Sequence, residues 1–211
     1  MNNKDTLIKS DERLDELNRR GYKIIQHPKK FCFGIDAVLL SDFARTIKDN
    51  STVIDLCSGT GIIAILLEGK TNAEKIYAVE IQKEIAEMSQ RSVILNDQQD
   101  KIEIINEDLN KINTAFSKSS IDAIVVNPPY TKIGSGVIND LDTKTISRHE
   151  VLCTLEDIIK VSVELLKSGG SFYMVHKVER LVDVLSEMRN KKLEPKRIRF
   201  IHPSFDKAPN L

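Results

Sequence analysis

The chain has 211 residues, enough for one domain with a substantial core, and its 31 basic and 31 acidic side chains cancel, which excludes a surface that is basic throughout. Three cysteines without paired spacing exclude a disulfide framework and a zinc site and indicate a reducing compartment. No apolar stretch reaches membrane-spanning length and the first residues show no signal-peptide pattern, so the expected location is the cytoplasm.

In chain order, the pattern predicts a short polar helix over 11–19, then a hairpin pairing 22–26 with 30–33 and turning at His27-Pro28. Gly34 precedes a helix over 36–46. Strands and helices then alternate: strand 52–56, helix 61–68, strand 75–79, helix 82–96, strand 101–105, a short helix over 109–115 and strand 121–126. The polar segment 131–147 is read as a mobile flap. Helix 154–167, a turn at Ser168-Gly169-Gly170, strand 171–176, helix 178–189 and a last strand over 197–202 complete the reading. Such alternation implies an α/β fold with a doubly wound, mostly parallel sheet and ligands at the carboxyl ends of its strands. We expect a single domain, 1–211, made of an extension over 1–50 and a core over 51–211.

The most informative residues are Asn127-Pro128-Pro129-Tyr130, which follow the apolar run Ile121–Val126. Two prolines fix the backbone and donate no N–H, so this turn presents acceptors only. The Asn127 side-chain oxygen and the Pro128 carbonyl can accept both hydrogens of a planar –NH₂ group, and Tyr130 offers a ring on which a flat substrate can stack.

Upstream, strand 52–56 runs into Cys57-Ser58-Gly59-Thr60-Gly61 and then a helix, a glycine turn that lets backbone approach a ligand. The letters also satisfy the dinucleotide pattern G-x-G-x-x-A. Asp55, four positions before Gly59, argues the other way: a carboxylate there repels a pyrophosphate and attracts an ammonium or sulfonium. Glu80, at the end of the next strand, is placed for two ribose hydroxyls whichever nucleoside binds. Ile81 can pack on an adenine, and Asp108, beside Leu109, can accept from an adenine amino group. Basic residues cluster at Arg19, Arg20, Lys23, Lys29 and Lys30 and again at Lys191, Lys192, Lys196, Arg197 and Arg199, which can form a phosphate-binding face if the fold joins them.

Asp55-Leu56-Cys57-Ser58-Gly59-Thr60-Gly61, Glu80, Asp108 and Asn127-Pro128-Pro129-Tyr130, in that order, resemble a class I S-adenosylmethionine-dependent methyltransferase that acts on amino groups. Segments 12–17, 21–26 and 31–40, with Arg148-His149-Glu150 and Lys207-Ala208-Pro209-Asn210, are similar to the bacterial tRNA1(Val) adenine-N6 methyltransferases. The resemblance implies a Rossmann-like fold, S-adenosyl-L-methionine as methyl donor, and transfer to the exocyclic N6 of an adenine in a tRNA anticodon loop, adenine 37 of tRNA1(Val) in that family. It implies catalytic roles for Asn127, Pro128, Pro129 and Tyr130. It gives the cofactor to Asp55, Cys57, Gly59, Gly61, Glu80, Ile81, Asp108, Leu109 and Asn127, with no metal, no membrane and a monomer favoured.

Some readings stay open. The same tetrapeptide also suits N5-glutamine methylation of a release factor, although that family carries a helical domain ahead of the catalytic one, and only about 50 residues stand there here. Arg148 and His149 read either as substrate contacts or as anchors of the preceding loop. Phe33 reads as a wall of the site or as core, and Asp36 as a polar contact near the methionine end or as a helix N-terminal residue. The family's sheet ends in an inserted antiparallel strand, so an end at Leu211 is read as a truncated C-terminal strand that leaves a sheet edge unpaired.

Overall fold

The structure is a computed structural model that describes residues 5–30, 32–130 and 153–211. Five parallel strands form the sheet: β3 (Thr52–Leu56), β4 (Lys75–Val79), β5 (Ile102–Ile105), β6 (Ile121–Val126) and β7 (Leu166–Met174), in spatial order β5-β4-β3-β6-β7. The chain winds outward from β3 to β5 and then restarts on the other side with β6. The loops leaving β3 and β6 therefore diverge, and a crevice opens at the carboxyl ends of these two strands.

The strands are nearly continuous in Val, Ile and Ala because both faces are covered. Val53, Ile76, Ala78, Ala123 and Val125 pack with the apolar sides of α1 (Ile35–Phe43) and α2 (Ile62–Lys70), and Val93 of α3 (Lys83–Leu95) joins them. Ile54, Leu56, Ile124 and Val126 face the opposite layer, built from a 3₁₀ turn at Leu109–Thr114 and α4 (Leu155–Leu165). A Thr154–Asp157 capping box starts α4. Beyond it, α5 (Leu181–Asn190) packs through Val184 on Leu155 and Ile159. No helix among the described residues is long and apolar enough to cross a membrane.

The N-terminal extension corrects the sequence reading. Residues 11–19 form no helix; Arg13–Glu16 (β1) pairs antiparallel with Lys23–Gln26 (β2), and among the described residues ahead of them the one helical turn is a 3₁₀ turn at Asp5–Leu7. The turn between the strands uses positive φ at Asn18, Arg20 and Gly21, and cross-strand pairing outweighs the weak helix propensity of so short a charged segment. The hairpin is pinned to α3 by a bidentate Arg91–Glu12 pair (2.6 Å each), by Ile25 N–H to Ser92 Oγ (3.0 Å), and by Lys23 with Asn96. With β2 already paired, the described residues of the expected partner, 30, 32 and 33, belong to no strand; the Phe33 N–H instead donates to the Gln26 side chain (3.0 Å).

The C-terminal reading also needs correction. Helix α4 stops at Leu165, and the Ser168-Gly169-Gly170 turn lies inside β7, where the register to β6 shifts and Gly169 takes φ +76°. Residues 197–202 form no strand of the sheet. Ile201 exchanges backbone bonds with Leu211 and Asn210 (2.9 and 3.0 Å), Arg197 and Arg199 lie over the Phe43 ring, and a cavity of about 380 Å³ separates this segment from β7. The two basic clusters sit on different elements and have local partners: Arg19 on α2, Lys30 on Glu84, Lys191 on Glu156, Arg199 on Asp42.

Candidate functional site

The loop after β3 is shaped by backbone. Cys57, Gly59 and Gly61 have φ of 55°, 55° and 79°, three left-handed residues in five. Ser58 N–H reaches across to Val79 O at the end of β4 (2.9 Å), and Gly61 N–H closes the turn on Ser58 O (3.0 Å). A non-glycine residue in this conformation costs about 1 kcal/mol, a strain found where a site dictates the backbone. Gly61 is required twice over, by its φ and because a Cβ there would lie 2.1 Å from Ser89 Oγ of α3.

Glu80 ends β4 and folds back under this loop. Its Oε2 accepts from Gly59 N–H (2.9 Å) and its Oε1 from Gln82 N–H (2.8 Å). Burial holds its carboxyl above the usual range, opposed by these backbone N–H groups. Asn106, leaving β5, donates to the carbonyls of Glu80 and Ile81 (2.8 and 3.0 Å) and so fixes the neighbouring loop. Asp108 caps the following 3₁₀ turn, Oδ1 accepting from Asn110 N–H (2.9 Å). Asp55 lies fully buried on the α1–α2 face of β3, and neither of its oxygens has a hydrogen-bond partner among the described residues. Burial pushes its carboxyl well above the usual carboxylate range, the Ala64 N–H dipole opposes this, and the nearby Glu80 charge adds to the rise.

On the other side of the crevice, Asn127 leaves β6 and its Oδ1 contacts the Tyr130 hydroxyl. That hydroxyl also donates to Asp36 Oδ2 in the first turn of α1 (2.6 Å). The Tyr130 ring is held from the end of β7: His176 meets it edge-on at 5.3 Å, Lys177 Nζ stands 5.5 Å from its centre, and Arg180 donates to its carbonyl (3.3 Å). Burial, then the Asp36 charge, push the Tyr130 hydroxyl up, so it remains a donor. Burial and the Arg180 charge bring His176 down to about 4, so this ring is neutral.

Phe33, Cys57, Gly59, Glu80 and Ile81 line one groove, and Asp108, Leu109, Asn127 and Pro129 complete its far wall. Asp55, Gly61, Pro128 and Tyr130 are not on that wall. Asp55 stands in β3 before the first loop, Gly61 is that loop's last residue, and Tyr130 meets Asn127 through its hydroxyl. Arg148, His149 and the flap over 131–147 lie outside the described residues.

The groove fits S-adenosylmethionine better than a dinucleotide. Burial raises both the Asp55 and the Glu80 carboxyl, so a cation at this end of the sheet would be stabilised as they ionise beside it, whereas a pyrophosphate would gain no such partner. Sequence reasoning missed Gln82 and Cys153, which also line the groove, and His176, Lys177 and Arg180 around Tyr130. Their signal is position alone, since the last three follow the carboxyl end of β7 where ligands gather.

A match to the family described as "Methyltransferase small domain" covers residues 22–191. The tRNA1(Val) (adenine(37)-N6)-methyltransferase of Bacteroides thetaiotaomicron is 30% identical over 143 residues, which are 67% of this chain and 58% of that protein. The enzyme of the same name from Parabacteroides distasonis is 27% identical over 180 residues, 83% of this chain and 72% of that one. The chain thus spans about three fifths of the first relative's length. Among solved structures, the tRNA m1G37 methyltransferase of M. jannaschii shares the fold, with a TM-score of 0.65 at 16% identity over 94% of this chain and 51% of that one. The chain belongs to the methyltransferase small domain family.

Proposed function

We propose that the protein transfers a methyl group from S-adenosylmethionine to the exocyclic N6 of an adenine in tRNA, working on the anticodon loop in the cytoplasm. One observation carries the reading: Asn127, whose amide oxygen can accept from an amine, lines the same groove as Glu80, Asp108 and the Gly59 turn. Amine and methyl donor would meet there. The tRNA substrate is supported by the relatives' activity, and an unpaired loop base is easier to turn into such a groove than one in a helix.

S-adenosylmethionine supplies a methyl group on a sulfonium, an activated leaving group that needs little acid–base help. The chain supplies position. Glu80 would take the ribose hydroxyls and Asp108 an adenine amino group, and the raised Asp55 and Glu80 carboxyls would ionise more readily beside the cationic end. Asn127 would accept one amine hydrogen from the groove wall, and the Pro128 carbonyl, which does not line the groove, would have to turn toward it to take the other; together they would draw the nitrogen lone pair out of the ring and toward the methyl carbon. Transfer would leave one surplus amine proton, which would go to water because Asn127 and Pro128 accept hydrogen bonds but are not bases. Positioning of this kind provides most of the acceleration.

Radiolabelled S-adenosylmethionine offered with unmodified tRNA and, in parallel, with a release factor tests the reading. Label recovered as N6-methyladenosine after nucleoside digestion supports it. Label on a release-factor glutamine replaces it with amide methylation, and label in neither rejects both.

A further inference from the structure

The Tyr130 hydroxyl faces two acceptors, the Asp36 carboxylate at 2.6 Å and the Asn127 amide oxygen, and a phenol has one proton. With the proton on the Asp36 side, the phenolic and amide oxygens are left face to face. A half-turn of the Asn127 amide resolves the conflict, because it exchanges oxygen and nitrogen at nearly the same positions. Tyr130 O–H then donates to Asp36, Asn127 Nδ2–H donates to the phenolic oxygen, and the Asn127 carbonyl oxygen turns away from Tyr130 and becomes free for another donor.

We propose that Asp36 is a positioning residue that claims the Tyr130 proton and thereby keeps the Asn127 oxygen available to the substrate amine. The inference rests on the reading of Asn127 as the amine acceptor. Asp36 is 94 positions from Tyr130 in sequence and is built for the task. Its Oδ1 is tied to Ala37 N–H (3.1 Å). Residue 34 is a glycine, and a Cβ there would come within 2.5 Å of that same oxygen. Tyr130 in turn is held by His176 against its ring, by Lys177 over the ring and by Arg180 on its main-chain carbonyl. Without the carboxylate, the phenolic proton falls to the Asn127 oxygen and withholds it from the amine. Removing the hydroxyl as well should then restore activity.

This reversal is the test. Single-turnover methylation of the RNA shown to be a substrate is measured for wild type, Asp36→Ala, Tyr130→Phe and the double variant, with S-adenosylmethionine affinity by calorimetry as the control for folding. Asp36→Ala should slow transfer about 10- to 100-fold, the range of a charge-assisted hydrogen bond. The double variant should recover to the Tyr130→Phe level, and cofactor affinity should hold throughout. Asp36→Asn, which keeps its size and its bond to Ala37 but is a weaker acceptor, should fall between. A second readout needs no turnover: binding of a stem-loop RNA carrying adenine or purine at the target position. Asp36→Ala should lose the preference for adenine and the double variant should regain it. Additive losses, or a fall in cofactor affinity that matches the fall in rate, would overturn the inference. A wild type that methylates no amine would remove the proposed function and the inference together, an outcome visible in the wild-type lane alone.

Discussion

On the β3–β4–β5 side, the groove is shaped by hydrogen bonds to backbone groups. The Gly59 and Gln82 N–H groups hold Glu80, Ser58 holds the turn to β4, and the Asn106 amide holds Glu80 and Ile81. On the β6–β7 side, the decisive groups are side chains that share one proton, and their partners come from α1 and from the end of β7. In the proposed site, the cofactor half is held by hydrogen bonds to backbone groups of the loops leaving neighbouring strands, and the amine half by side-chain contacts from α1 and from beyond β7. A change in either half should therefore leave a different signature.

The largest separation is expected from Asn127→Ala. Removal of a preorganised acceptor at the reacting group should lower turnover by about 10²–10³-fold. Calorimetric affinity for S-adenosylmethionine should stay within about twofold, since the donors and acceptors of the cofactor half are untouched. An equal fall in both would show that the halves are one unit.

Gly61→Ala attacks the other half. The added Cβ meets Ser89 Oγ at 2.1 Å and the residue keeps φ +79°, so clash and strain together should cost about 3 kcal/mol in denaturant unfolding and abolish measurable cofactor binding. Ser89→Ala in the same chain removes the clashing oxygen but not the strain, and should restore part of the stability. Full recovery would mean that the left-handed backbone carries no strain of its own.

Asp55 gives a pH signature specific to the cofactor half. Its folded carboxyl is raised, so its contribution to stability is fully present below the ordinary value of 3.8 and is lost as pH rises through the folded value. Glu12, Glu87 and Asp122 are lowered by their Arg91, Lys9 and Lys167 partners and act in the opposite sense, present above their ordinary values and lost on acidification. The difference between wild type and Asp55→Asn cancels Glu12, Glu87 and Asp122 and leaves Asp55 with its coupling to Glu80. Unfolding free energy of wild type relative to the variant should fall as pH rises from 3.8, and a flat difference would remove Asp55 from the account of why this site favours a cation.

The same division explains what could be read in advance. The parallel sheet was legible because buried strands such as Ile121–Val126 and Thr52–Leu56 are short apolar runs bounded by turns, a local signal. The glycine turn, Glu80 and Asp108 follow from the strands they terminate, which is again local. The N-terminal hairpin was misread because β1 has no strand pattern of its own. It exists through its pairing with β2 and the Glu12–Arg91 contact, 79 residues apart in sequence. The Asp36–Tyr130 contact and the His176–Lys177–Arg180 surround were invisible for the same reason. The strand expected over 197–202 failed where its arginines found Phe43 in place of a β7 ladder.

The smallest effect, and the most selective probe of the amine half, is expected at Lys177. Its ammonium stands over the Tyr130 ring at 5.5 Å, while its backbone N–H binds His176 Nδ1 (2.9 Å). A side-chain change therefore removes the cation and leaves the His176 anchor in place. A cation–π contact at this separation is worth about 0.5–1 kcal/mol, so Lys177→Met should lower kcat/KM for RNA two- to fivefold, about the size such an energy allows. Cofactor affinity should not change, and Lys177→Arg should retain most of the rate because guanidinium also pairs with an aromatic face. If Lys177→Met instead weakened RNA binding with a reduced salt slope, the ammonium would be meeting a phosphate. The ordering of Tyr130 would then rest on Asp36, His176 and Arg180 alone.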